Sequence, residues 1–178
     1  MASMMSRYAI ALVLVGCLMI QAGEAGAYCV GNDKLLPGYD PNYYSVSHEF
    51  RRSEYVVKAR VLREIWIGYD GKEKTLQPPF QRGASRPSGL DPYAGVDYDV
   101  KVLQAFKGSP ESELRLFSEN STGRFWLKVG SDYILFISED SFDPPIGIKL
   151  TTDNCGNSAG INAAQATVHA LEGLSKGN

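Results

Sequence analysis

Cysteine, histidine and tryptophan are all scarce in this 178-residue chain, at three, two and two residues. The histidines, His48 and His169, belong to no H-x-x-x-H or similar spacing, so a zinc site is not expected. An excess of either charge is missing too. Eighteen Lys and Arg face 20 Asp and Glu, a net charge of −2, which argues against a broad electrostatic surface for nucleic acid. There is no phosphate loop, dinucleotide fingerprint, internal repeat or heptad run. Beyond the first 20 residues no apolar run is long enough for a membrane span, which takes about 20 residues. What remains is 44% hydrophobic and 21% charged, the balance of a single globular domain.

The one long apolar run is at the start. Arg7 precedes Tyr8 to Ile20, 13 residues without a charge, and Ala25 and Ala27 then occupy the −3 and −1 positions of an A-x-A site. That grammar describes a secretory signal peptide over residues 1–27, and hence a secreted or periplasmic protein. A competing pattern lies inside the run. Leu14-Val15-Gly16-Cys17 matches a lipobox, which would acylate Cys17 and make the protein a lipid-anchored envelope component with a structural role. Removing 27 of the 178 residues leaves 151, and with them go only Arg7 and Glu24 among the charges. Cys17 goes as well, leaving Cys29 and Cys155. An even pair in an exported chain reads as a disulfide, with two free thiols as the alternative.

The pattern after residue 27 is mostly that of strands. Asp40-Pro41 resembles a helix start, with Tyr43, Val46 and Phe50 at helical spacing. Glu54 to Ile67 alternates: Tyr55, Val57, Ala59, Val61, Ile65 and Ile67 on one side, Lys58, Arg60 and Glu64 on the other. Arg63 interrupts the apolar side, and Trp66 falls among the polar residues. Residues 68–95 lose all periodicity and hold five glycines and four prolines, the marks of a loop insertion. Val96, Tyr98, Val100, Val102 and Phe106 predict a second long strand that ends in the turn Lys107-Gly108-Ser109-Pro110. Further strands are expected at Glu113–Ser118, Arg124–Val129, Tyr133–Ser138 and Gly147–Thr152, with an acidic loop over Glu139–Pro145. Ile161, Ala164, Val168 and Leu171 predict a C-terminal helix. The total is a mainly β domain, residues 28–178, with about six strands between two helices, a small barrel or sandwich.

The order Glu54–Leu62, Tyr98–Gly108, Lys128–Phe136 and Leu150–Ser158 resembles the tissue-inhibitor-of-metalloproteinases-like proteins of the netrin-module superfamily. Phe106-Lys107-Gly108, Gly130 to Phe136 and Cys155-Gly156 carry the likeness, which covers roughly residues 42–165. The resemblance implies a closed OB-fold barrel of five or six antiparallel strands with flanking helices. It also implies an N-terminal segment tied to the barrel end by Cys29–Cys155. Metalloprotease inhibition in that family uses a leading Cys-x-Cys whose α-amino and carbonyl groups chelate zinc. Here Tyr28 precedes Cys29, and Gly31 takes the place of the second cysteine, so inhibition carries over less well than the fold. A family cysteine expected before Phe125 is also missing.

Other chemistry is weaker. Gly156-Asn157-Ser158-Ala159-Gly160 satisfies G-x-S-x-G between a strand and a helix, the context of a nucleophile elbow. Only His169 and Glu172 follow Ser158, in reversed order and on one helix, so a structural role for the serine is expected and a Ser158-dependent hydrolase is the remote alternative. Glu139, Asp140 and Asp143 lack the ligand grammar of a calcium loop. Asn120-Ser121-Thr122 is a glycosylation sequon only where a eukaryotic pathway exists. Lys58, Arg60 and Trp66 are the nearest approach to a basic, aromatic nucleic-acid face. The sequence therefore predicts an exported, non-enzymatic module that binds a protein partner, with no cofactor, metal or catalytic residue. Mass spectrometry of the mature protein should find Tyr28 at its N-terminus; an acylated Cys17 there would select the lipid-anchored alternative.

Overall fold

The computed structural model describes residues 45–75, 93–121 and 125–176. The chain is mainly β. Helix α1 spans Val46–Arg52 and is followed by β1 (Tyr55–Ile67), the two-residue β2 (Glu73–Lys74) and β3 (Gly95–Lys107). Next come β4 (Glu113–Glu119), β5 (Asp132–Phe142), β6 (Gly147–Thr152), the short β7 (Ala159–Gly160) and helix α2 (Gln165–Ser175). Asp40-Pro41 and Tyr43 lie outside the described residues, and the cap of α1 is Ser45, whose hydroxyl accepts from the His48 N–H at 3.3 Å. No helix among the described residues is long and apolar enough to cross a membrane.

Five strands close into a ring of hydrogen-bonded neighbours, β1–β3–β4–β6–β5 and back to β1. Every junction is antiparallel except β4 to β6, which run parallel and meet at Leu116 and Leu150. β1 makes the closure possible because it is paired on both edges. Tyr55 to Arg60 ladder with β5, while Val56 to Ile67 ladder with β3. Gly108 turns the chain out of β3 with φ of +76°, and a Cβ there would strike the Glu54 carbonyl and the Tyr55 ring. Only glycine fits both constraints.

The side-chain period of two explains how the strands supply two cores. Leu135 and Ile137 of β5 point into the ring with Val57, Ala59, Val61, Tyr98 and Val100. Ile134 and Phe136 point outward and are covered by Phe50, Val56, Phe106, Ala164 and Leu171 beneath the two helices. That double burial is why Tyr133–Ser138 reads as nearly continuous apolar sequence.

Several expectations change at irregularities in the ladder. Val61 faces Val100 but Arg63 faces Asp99, so β1 carries an extra residue at Leu62. The bulge turns Arg63 outward and moves Ile65 and Ile67 to the face opposite Val61, where they pack with Phe117. Trp66 turns inward with the main core and meets Tyr93 edge-on at 4.5 Å. Two further irregularities, at Leu103 and at Phe106, accompany the placement of Phe106 under the helices rather than beside Val100. The loop predicted over 68–95 already folds back at β2, which pairs with Trp66 and Ile67; residues 76–92 lie outside the described ones.

Two further expectations are corrected. Phe125 to Lys128 form no strand. They are held by side chains instead: Ser118 Oγ donates to the Phe125 carbonyl, the Lys128 N–H donates to Tyr133 Oη, and Leu127 plugs the core. Conversely, Glu139 to Phe142 are not a loop. They extend β5 against β6, pairing Glu139 with Leu150 and Phe142 with Gly147. The hairpin tip then lays Phe142 edge-on against Phe117 at 4.9 Å. Gly147–Thr152 is a strand with the expected bounds. The C-terminal helix starts four residues later than Ile161 but buries Leu171 as its spacing predicts.

Charged pairs tie these strands across the ring exterior. Asp99 accepts from both Arg63 and Arg115, and Asp132 from two nitrogens of Arg60 at 2.6 and 3.1 Å. These partners hold both carboxyls below the usual range. Asp97 is different. It is 2% exposed, with Lys149 Nζ at 3.3 Å from Oδ2 and, among the described residues, no hydrogen-bond partner on Oδ1. Burial raises its pKa above the ordinary 3.8, against the pull of Lys149. A raised folded-state pKa means that the folded protein holds a proton the unfolded chain has released, so stability falls as pH rises through that window. Asp97→Asn removes this titration. Measured by urea unfolding, the variant should gain on the wild type as pH rises above the ordinary carboxylate range, and a constant difference would count against the assignment.

Candidate functional site

The candidate site begins with α1. Its helical spacing puts Phe50 into the core, and beside it Glu49 is 2% exposed. A buried carboxylate requires partners, and they come from the segment after β6. Glu49 Oε2 accepts from the Asn157 N–H at 2.7 Å and from Asn157 Nδ2 at 2.6 Å. Arg52 Nη2 stands 4.0 Å from Oε1 and 3.7 Å from Asp153. Burial nevertheless raises the Glu49 pKa, with the Asn157 bonds opposing it. Gly156 lies directly against this carboxylate, with no space for a side chain. Asp153 shapes the same segment by accepting from the Cys155 N–H at 2.8 Å.

Ser158 completes that segment. It is 6% exposed, its oxygen accepts from the Phe136 N–H at 2.9 Å, and it shares a hydrogen bond with Thr152 Oγ1 at 2.6 Å. The hydroxyl thus replaces a ladder partner for β5 beside β7. Among the described residues no histidine or carboxylate hydrogen-bonds to it, which leaves it without the base a nucleophile needs. The elbow-like G-x-S-x-G therefore has the geometry of a strand brace.

Two clefts lie beside this brace and share Glu119, Asp140 and Phe142. One, of about 490 Å³, runs between the end of α1, β4 and the β5–β6 pair, with Arg52, Ser138, Thr151 and Asp153 along it. The other, of about 570 Å³, continues under the hairpin tip past Tyr69, Phe117, Asp143 and Pro145. They adjoin at those three residues, and their walls carry aromatic rings, prolines and both charged and uncharged polar side chains.

The other sequence candidates do not converge there. Cys155 sits half-buried after β6, while Cys17 and Cys29 lie outside the described residues. His48 belongs to α1 and His169 to α2. Among the described residues there is no group of three His, Cys, Asp or Glu that could hold a metal ion. Lys58 and Arg60 are on β1, but Arg60 is committed to Asp132 and Trp66 is turned inward. Asn120 of the sequon donates to the Tyr93 carbonyl at 3.1 Å; Thr122 lies outside the described residues. Glu49 and Glu119 were not singled out by the sequence. A carboxylate beside Phe50 on a core-facing helix was the available signal for Glu49. Nothing local marks Glu119, whose place depends on the hairpin of β5 and β6.

No protein-family model matches the chain, and no curated protein matches it at a significant level.

The contact between Glu49 and Gly156 can be measured. Gly156→Ala forces the carboxylate to move and should cost about 1–3 kcal/mol in unfolding free energy. In a Glu49→Ala background the same change should cost less by more than about 0.5 kcal/mol. Additive costs would show that the two residues do not share this space.

Proposed function

We propose that the protein is an exported, non-enzymatic binding module of OB-fold, netrin-module-like type, and that its ligand is another protein. The ring itself is the observation that carries the reading. Its five long strands, β1, β3, β4, β5 and β6 in chain order, connect as first, second, third, fifth, fourth and first. The single parallel junction joins the third and fifth. That arrangement supports an OB-fold assignment and agrees with the resemblance of Glu54–Leu62, Phe106-Lys107-Gly108 and Gly130–Phe136 to the netrin-module strands. The signal-peptide grammar of residues 1–27 supports export, and the Cys29 and Cys155 pair supports a disulfide from the N-terminal segment to the end of β6.

One observation favours binding over catalysis at the G-x-S-x-G segment: Ser158 is engaged as a brace between Phe136 and Thr152. Inhibition of a metalloprotease is a narrower form of the same proposal, limited by Tyr28 standing ahead of Cys29 where a chelating terminus would begin with cysteine.

The proposal is tested by capture. Mature protein immobilised through its C-terminus should retain a defined protein partner from its own extracellular or periplasmic fraction, and purified protein and partner should bind again in isolation. Retention of nothing above background, or hydrolysis of an ester probe that disappears in Ser158→Ala, would overturn it.

A further inference from the structure

Lys149 stands between two carboxylates on the outer face of the ring. Asp140 is its direct neighbour, because β5 and β6 pair Asp140 with Lys149, and partners in a ladder share a face. Asp97 is two strands away, on the far side of β4. Lys149 nevertheless takes Asp97. Its Nζ lies over the Phe117 ring, 5.9 Å from the centroid, and 3.3 Å from Asp97 Oδ2. That is the one ion pair of Lys149 among the described residues, and Asp140 has none there.

Burial explains the choice. Asp97 lies opposite Ile65 and Phe117 in its ladders, beside the cluster that Phe142 and Ile146 pack against. An ionised carboxylate in such a place needs a cation, whereas Asp140 is exposed and has water. No other neighbour replaces Lys149. Arg115 of β4 and Arg63 of β1 are bonded to Asp99, and Ile65 and Ile67 of β1 carry no charge. Asp99 on β3, Glu119 at the end of β4 and Glu73 on β2, which acts on Arg115, add only negative charge.

A proton on Asp97 reverses the balance. The neutral carboxyl needs no cation, and Lys149, with a side chain 29% exposed, then gains more from an ionised partner. Burial pushes the Asp97 carboxyl up, so it takes its proton at a pH where exposed carboxylates are still ionised. Opposite charges directly across a ladder attract, and Asp140 offers that position.

We propose that Lys149 is a two-position switch worked by a proton: it bridges to Asp97 while that carboxylate is ionised and turns to Asp140 once Asp97 is protonated. Asp140 lines both clefts, and neither Asp97 nor Lys149 lines either. Acidification therefore brings a positive charge to the cleft walls, and a rise in pH withdraws it. The switch goes beyond the binding proposal, because it makes the charge of the clefts depend on pH whatever they hold.

The test follows side-chain NMR signals of the mature protein from about pH 3 to about pH 8. In the wild type the Lys149 ε-methylene protons should lose the ring-current shift of Phe117 as pH falls, with the same midpoint as the Asp97 carboxyl. In Asp97→Asn, which fixes the neutral form, that shift should be absent at every pH. Lys149→Met is made in the Asp97→Asn chain, so that no buried carboxylate is left without its cation. There it should raise the titration midpoint of Asp140 by about 0.5 pH unit. An Asp140 midpoint unchanged by Lys149→Met would overturn the proposal. So would a Lys149 signal that stays constant across the Asp97 step, a result that depends on no variant.

Discussion

Everything described here depends on one strand being bonded along both edges. β1 gives its first half to β5 and its whole length to β3, and without that double pairing the sheet would have two open edges in place of a closed ring. Closure takes the unpaired backbone groups of those edges out of solvent. It also dictates the side chains. Val56, Val57 and Ala59 have no exposure at all, because a strand bonded on both edges and covered on both faces has none left. The same constraint forces the outward residues of β5, Ile134 and Phe136, to find cover, and the two helices provide it.

Helix α1 carries polar anchors beside its apolar ones. Glu49 holds the segment after β6 through Asn157, and Lys107 Nζ donates to the carbonyls at the end of α1. A buried carboxylate is poor at adding net stability but good at selecting one arrangement. Here it sets where α1 stands relative to Gly156 and Ser158, and so it sets one wall of the first cleft. The brace at Ser158 holds β5 beside β7. The first cleft thus lies beside the contacts that staple the ring, and Glu49 and Asp153, which take part in those contacts, line it together with Glu119 and Asp140.

Strand existence was largely legible because alternation is local. β4 and β6 match their predicted spans closely, and the apolar run of β5 announced a doubly covered strand. Facing was less legible. An extra residue at Leu62 reverses the side on which Ile65, Trp66 and Ile67 point, and nothing in the composition of Val61-Leu62-Arg63 declares a bulge except the misplaced arginine. The same reasoning failed at Phe125 to Lys128, which alternate like a strand but are held by Ser118 and Tyr133 rather than by a neighbour's backbone. It failed in the other direction at Glu139 to Phe142, where acidic residues looked like a loop and β6 supplied the pairing that made them a strand.

By itself the amino-acid sequence determined what periodicity and single residues can determine. The helices, the major strands, the Lys107-Gly108 turn and the structural role of Ser158 follow from spacing, backbone freedom and the missing catalytic partners. Tertiary structure alone decided which carboxylates are neutralised. Asp97 and Asp99 are two residues apart on β3, yet one is buried against Lys149 and the other bridged by two arginines from different strands. Glu119 and Asp140, 21 positions apart on β4 and β5, come to line the same clefts only because the ring closes through β6. Charge compensation is a matter of distance in space, and sequence separation carries little information about it. Few histidines, few cysteines and balanced charge said what this protein lacks; the closed ring decided which of its remaining charges are paired.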